Sequence, residues 1–540
     1  MRPFLTLHDP AQAQAYYDQG LWTDDTFYGL MAGHAADRPD EAALRDGEGR
    51  ITWGELQASV DAIAADLSAK GLVAGDRVSL WASNRMDGVI FFLACSRQGL
   101  ACNPSLHRTH TCAEIIELLT RLGSAAVVTE PGWGADRDDQ DFDAMLNGLA
   151  FLKARYTPET VPSAGAVPAT TPHGNANAVG YLAFTSGTTG APKCVMHSAN
   201  TLMANARDLA RDWGLTRQSK VLSLSPLSHH IAWVGVAQWL ICGGEMITDD
   251  PPAGTSRLDW IIDTAATYVL GVPTHAMDLL AQQKTQGVER LGSVETFYMA
   301  GSPIPPTVAE AFVNQGIKPQ NVYGMTENSS HQYTHPDDDT ETIIKTCGRG
   351  GPAYEIRIFD SENPDLEVPA GTVGQIGGRG ACLTLGYFAN QDATQASFNC
   401  DGWFMSGDLG SFDDAGNLIV EGRLKDLIIR GGHNIYPSHI EALTMRHPDV
   451  EKAAAFPVAD ERLGERVCLA IIGAVNGDAM LAHLAKEGLS KYDMPEFFSR
   501  VEDFPLTASG KILKRDLVAM AQRGDLIPDP VRYQSEEGGN

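Results

Sequence analysis

The chain has 540 residues, of which 43% are hydrophobic and 20% charged, with a formal net charge of -27. That length leaves room for several cores and the composition is that of a folded protein, so a single small module and a disordered chain are both excluded. So acidic a body also argues against nucleic acid or an anionic membrane as a main partner, and any polyanionic ligand would need local islands of positive charge. Nine cysteines are scattered without a Cys-x-x-Cys pair, which reads as reduced thiols and not as a disulfide framework or a zinc site.

In chain order, apolar residues recur at helical spacing from Phe27 to Ala35 and from Thr52 to Leu67, and Val78 to Ala82 reads as a strand. Val89 to Cys95 continues as an apolar helix, and Ala125 to Thr129 as a second strand; the alternation predicts a mostly parallel sheet clothed by helices. The stretch 154–176, with its Pro, Gly, Thr and Asn residues, is expected to cross the surface as a connector. From Val221 the alternation resumes through an apolar helix spanning Trp233 and Leu240, then Glu245 to Thr248 and Tyr268 to Leu270. Past residue 350 the texture changes to short strands and glycine turns, as in Glu355 to Phe359 and Gln375 to Gly378, which suggests a smaller β-rich subdomain. Leu427 to Ile429, a helix around His439 to Thr444, and Val467 to Ile472 form a compact α+β segment, and the polar tail Gln522 to Asn540 is expected to fray. The N-terminus lacks the apolar core of a signal peptide, and Ile231 to Ile241 is too short to span a bilayer, so a cytoplasmic location with no membrane span is expected.

The run from Tyr181 to Lys193 carries the most chemistry. An apolar strand leads into Thr185, Ser186, Gly187, Thr188, Thr189 and Gly190, whose backbone N-H groups and hydroxyls suit an anion, with the Lys193 ammonium beside them. The spacing is not Gly-x-x-x-x-Gly-Lys followed by Ser or Thr, so a P-loop is excluded. A second string, Tyr323-Gly324-Met325-Thr326-Glu327, offers a hard oxygen ligand for Mg2+ in Glu327 and a donor to phosphate in Thr326. A third, from Gly402 to Asp408, ends on a carboxylate able to accept from a vicinal diol, and Lys511 follows a glycine turn that lets a long cation project.

Together these strings resemble the adenylate-forming superfamily of acyl-CoA synthetases, aryl-acid ligases, luciferases and peptide-synthetase adenylation domains, over nearly the whole chain. The resemblance implies an α/β fold of mixed sheets. Residues 1–424 would form the large ATP- and acid-binding domain, with 350–424 its β-rich subdomain, and 425–540 a small mobile α+β domain. It places Thr185, Ser186, Thr188, Thr189 and Lys193 on the phosphates of ATP, Thr188 and Glu327 at Mg2+, and Tyr323, Gly324 and Met325 by adenine. Thr326 falls to the α-phosphate, Gly301, Ser302 and Pro303 to the adenine side and floor of the acid pocket, and Asp408 and Arg423 to the ribose region. Lys511 becomes the adenylation lysine and Lys425 the hinge, with Gly432 at the wall of the tunnel that admits the pantetheine thiol of coenzyme A.

His229 would gate the acid pocket or support the thiol step, and His230, Trp233, Val234, Val272 and Met299 would line it. Relatives that activate 2,3-dihydroxybenzoate carry Asn directly after that histidine, where His230 stands here. The expected activity is therefore an ATP-dependent acid:CoA ligase working through an acyl-adenylate and releasing AMP and pyrophosphate. A medium-chain or cycloaliphatic monocarboxylic acid is the expected substrate. The alternatives are an aryl-acid ligase, a stand-alone adenylating enzyme that loads a carrier-protein thiol, and a non-catalytic adenylate sensor. The expected partners are the small carboxylic acid, ATP and coenzyme A, with no nucleic acid; a homo-oligomer is compatible with the sequence.

Overall fold

Apolar runs separated by helices become parallel strands, because a strand can lie parallel to its predecessor only if a crossover of a dozen or more residues carries the chain back. The computed structural model of the chain describes residues 9–162, 170–185, 192–506 and 512–533. Two compact units result: one holds the described residues up to Glu355 together with Arg379–Gly402, the other Ile356–Gly378 together with the described residues from Trp403 on.

The first unit contains two sheets. One runs Ser329–Tyr333, Lys318–Met325, Thr296–Ala300, Tyr268–Gly271, Lys220–Ser223, Glu245–Thr248, Ala42–Arg45 and Arg50–Thr52, parallel except at its two edges. The other runs Ala154–Tyr156, Ser124–Thr129, Arg77–Trp81, Ala101–Asn103, Val179–Thr185 and Lys193–Ser198, again parallel until the last, which turns back on its neighbour. Helices start where the sequence caps them. Thr52 with Glu55, and Thr111 with Glu114, each form a reciprocal capping box at the head of the helices Trp53–Ala69 and Cys112–Leu122. The core between the layers is aromatic: Trp53 and Trp239, both fully buried, stack with centroids 5.0 Å apart and an interplanar angle of 10°.

The second unit has a four-stranded sheet, Tyr354–Phe359, Gly374–Gly380, Phe404–Phe412 and Leu418–Arg423, and a six-stranded sheet built around the long antiparallel pair Val450–Asp460 and Gly464–Gly473. A 3-10 turn, Leu424–Asp426, links them.

Two segments differ from the reading of the sequence. The stretch 154–176 opens with the edge strand Ala154–Tyr156, and Tyr156 is fully buried against Phe91 with its hydroxyl donating to Asp66 at 2.7 Å. Its polar composition hid a core residue that only the neighbouring strand could recruit. The tail is likewise held as far as residue 533. The helix Lys514–Arg523 is followed by buried Leu526, Asp529–Pro530 pairs with Phe497–Arg500, and the Val531 amide donates to the Glu496 carbonyl. Among the described residues no helix is long and apolar enough to cross a membrane.

Trp239→Ala removes a stacked indole from a site with no solvent to fill it. Denaturant titration followed by Trp fluorescence is expected to show the first unit destabilised by about 3–5 kcal/mol.

Candidate active site

The parallel sheet of the first unit has a topological switch point. From Lys220–Ser223 the chain crosses to Glu245–Thr248 on one side, whereas from Tyr268–Gly271, its other neighbour, it crosses the opposite way to Thr296–Ala300. Loops leaving adjacent strands in opposite directions open a crevice at the carboxyl edge. The matching switch point of the other sheet, between Arg77–Trp81 and Ser124–Thr129, borders a space of only about 20 Å3, enough for a single water molecule.

Most candidates of the first unit stand along that first edge. After Ser223 the chain turns through Pro226, whose carbonyl accepts from the His229 amide at 2.8 Å, and His229 becomes the N-cap of the apolar helix His230–Cys242. Next in the sheet, Val272 caps the helix Pro273–Gln286. Ala300 is followed by exposed Gly301, Ser302 and Pro303, with Gly301 at φ +92, a left-handed conformation that favours glycine. The strand Lys318–Met325 then delivers Tyr323, Gly324 and Met325 and turns back through Thr326 and Glu327. Gly324 is required there, since a Cβ would lie 1.7 Å from the Ser329 carbonyl oxygen.

Glu327 is buried, and its Oε1 accepts from the Tyr387 hydroxyl at 2.9 Å. The Lys193 ammonium lies 4.5 Å from the centroid of the same Tyr387 ring. One tyrosine thus spans Lys193 and Glu327, the expected phosphate and metal contacts, and no sequence signal singled it out. Lys193 opens the strand that pairs with Val179–Thr185, Thr185 opposite Lys193. Ser186, Thr188 and Thr189 of the loop lie outside the described residues.

Burial keeps His230 and His107 neutral. His230 is held at both ring nitrogens, Nδ1 3.2 Å from the Tyr181 hydroxyl and Nε2 3.1 Å from Ser329 Oγ, and burial pushes its pKa well below the ordinary value. His229 packs edge-on against His107, centroids 4.8 Å apart, and His107 Nδ1 lies 2.9 Å from Ser228 Oγ. Burial first, then the neighbouring His229 and His110, depress His107 to about 3. Trp233 is fully buried against Phe92 and Tyr181 with its indole N-H on the Leu227 carbonyl at 2.6 Å; Val234 and Met299 are equally buried and Val272 half-buried.

In the second unit, Asp408 and Arg423 are direct cross-strand partners, with Arg423 Nε 3.5 Å from Asp408 Oδ1. Fifteen residues apart in sequence, they form one polar pair. Lys425 occupies the 3-10 turn, and Gly432 sits at φ +86 in the turn between the strands Ile428–Arg430 and His433–Ile435. A Cβ at Gly432 would meet nothing within 4 Å, so within the chain it is backbone conformation that calls for glycine there. Lys511 lies outside the described residues.

Residues 31–388 match the AMP-binding enzyme family and residues 439–511 its C-terminal domain. The chain belongs to that family. It is 29% identical over 535 residues to the medium-chain fatty-acid–CoA ligase of Escherichia coli K12, covering 95% of this chain and 93% of that one. With enterobactin synthase component E of the same organism it shares 27% identity over 521 residues, 94% and 96% of the two chains. The fold superposes on ATP-bound MatB from Rhodopseudomonas palustris with a TM-score of 0.80 and 28% identity, covering 92% and 99%.

As a member of this family the chain is an AMP-forming acid–thiol ligase that uses ATP and Mg2+, with coenzyme A as co-substrate. Its buried imidazoles bear on acid stability. His197, depressed to about 4 chiefly by burial, His275, likewise to about 4, and His107, to about 3, bind protons less readily folded than unfolded. Their contribution is complete above the ordinary histidine value of 6.5 and is lost as the pH falls through the folded values, because the unfolded chain takes up protons first. Thermal unfolding is expected to shift down steadily between about pH 6.5 and 4; a melting temperature flat across that window would contradict these environments.

Proposed function

We propose that this ligase activates a medium-chain or cycloaliphatic monocarboxylic acid. The observation that carries the reading is the engagement of both His230 ring nitrogens, by Tyr181 and Ser329, which leaves that side chain committed within the protein and not to a hydroxyl on an aromatic substrate. The arginine on the His275 side, Arg257, is held in a two-point ion pair by Asp249, with Nη2–Oδ2 at 2.7 Å and Nε–Oδ1 at 3.1 Å, so it is poorly placed to receive a second carboxylate. The helix behind His229 presents an apolar face.

The donor set fits magnesium. A carboxylate oriented by a tyrosine hydroxyl, plus a hydroxyl from the phosphate loop, suits a hard cation that takes its remaining ligands from phosphate and water. Among the described residues no cluster of three or more His, Cys, Asp or Glu could hold a metal by itself. Bound Mg2+ would offset the charge on the phosphates as two anions are brought together. Around it Lys193, Ser186, Thr188 and Thr189 would steady the β- and γ-phosphates, Thr326 the α-phosphate and Tyr323 the adenine, with Asp408 and Arg423 acting on the ribose. Lys511 would place its ammonium between the carboxylate and the α-phosphate, where negative charge is crowded, and turning about Lys425 would withdraw it and present Gly432 to the thiol. No general base is needed for the first half-reaction, since the acid is ionised near neutral pH. A cytoplasmic location accords with the reduced thiols.

Carboxylate-dependent pyrophosphate exchange across fatty, cyclic and aromatic acids, without coenzyme A, is the decisive assay. Medium-chain or cyclic aliphatic acids are expected to give the highest kcat/KM; preference for a hydroxybenzoate or a dicarboxylate would reject the substrate assignment. Adding coenzyme A, and separately a pantetheinylated carrier protein, then identifies the acceptor by AMP release. In the same assay Lys511→Ala is expected to lose about a hundredfold or more in exchange; full activity in a folded sample would remove Lys511 from the mechanism.

A further inference from the structure

The Thr326–Glu327 turn is pinned at two successive carbonyls. The Glu327 carbonyl accepts from the Thr384 amide at 2.7 Å, and Thr384 Oγ1 donates in turn to the Met196 carbonyl at 2.8 Å. The Thr326 carbonyl lies 2.7 Å from His197 Nε2. Met196 and His197 are neighbours on the strand Lys193–Ser198, the strand that begins with the phosphate-loop lysine. His197 is fully buried and stacks at 29° on His230 with centroids 5.7 Å apart.

A carbonyl oxygen only accepts, so Nε2 must carry the hydrogen. Nδ1 then accepts from the Thr201 hydroxyl, 3.0 Å away, and the neutral ring that burial favours is the Nε2–H tautomer. We propose that His197 is a positioning residue for adenylation, its Nε2–H fixing the Thr326 carbonyl so that the Thr326–Glu327 turn and Lys193 are held as one rigid piece. The inference rests on the reading above that Thr326 and Lys193 serve the same ATP. A rigid link of this kind is felt in the rate of the chemical step more than in nucleotide affinity, because small displacements from the reacting geometry cost rate.

Three substitutions separate the donor from the bulk of the ring. In His197→Gln the side-chain amide reaches the place of Nε2 and can donate to Thr326; in His197→Asn it reaches only the place of Nδ1; His197→Leu has no donor. In pyrophosphate exchange with the best acid, the Asn and Leu substitutions are expected to lower kcat about tenfold with KM for ATP changed less than about twofold, and His197→Gln to stay within about threefold of the parent. If the Leu substitution does not fold, the Gln and Asn pair still decides the matter. Independently of turnover, 15N-histidine NMR of the nucleotide-free protein is expected to show an Nε2–H tautomer at residue 197. Equal loss in the Gln and Asn proteins, an unimpaired folded Leu protein, or an Nδ1–H tautomer would each overturn the proposal. A parent protein that exchanges pyrophosphate with no acid would instead sink the reading of the reaction, and the NMR arm would then decide the His197–Thr326 bond alone.

Discussion

Parallel pairing is the constraint from which the active-site region follows. A parallel strand must be re-entered from the same end as its neighbour, so the loops after Lys220–Ser223, Tyr268–Gly271, Thr296–Ala300 and Lys318–Met325 emerge at one edge. His229, Val272, Gly301 to Pro303 and Tyr323 to Glu327 are spread over about a hundred residues of chain, yet they follow four strands that lie side by side. The reversal of crossover direction between the first two of these strands opens the crevice there.

Electrostatics complete what topology begins. On a body carrying -27 formal charges, the Lys193 ammonium lies over the face of Tyr387, and the hydroxyl of the same tyrosine donates to Glu327. The ring therefore separates opposite charges while fixing both. The adjoining imidazoles of His197 and His230 are buried and neutral, so they supply hydrogen bonds without adding a fixed charge beside the crevice. Arg423 and Asp408 form a comparable local pair in the second unit, made adjacent by antiparallel register.

Much of this was legible in the residues. The helices at Phe27–Asp37, Trp53–Ala69 and His230–Cys242 follow from their apolar residues. The strings around Tyr323 and Asp408 stood out by their resemblance to the motifs of the adenylate-forming superfamily, and the 1.7 Å approach at Gly324 supplies the backbone reason for one of their glycines. What escaped was whatever a remote partner decides. Tyr156 sits in a polar stretch and is core only because Ser124–Thr129 takes Ala154–Tyr156 as its neighbour. The tail looked free because its polarity conceals Leu526 and a two-residue strand completed by Phe497–Arg500.

By itself the sequence determined the alternation of strands and helices, the acidic body and the motif strings on which the resemblance to the adenylate-forming superfamily rests, since local spacing, backbone preference and side-chain chemistry are properties of a few neighbouring residues. Only the tertiary structure decided that Tyr387 would stand between Lys193 and Glu327, that His197 would meet the Thr326 carbonyl, and that His230 would be engaged at both nitrogens. Those contacts join residues from 49 to 194 positions apart in the chain. Sheet order and register, which no local pattern encodes, choose such partners.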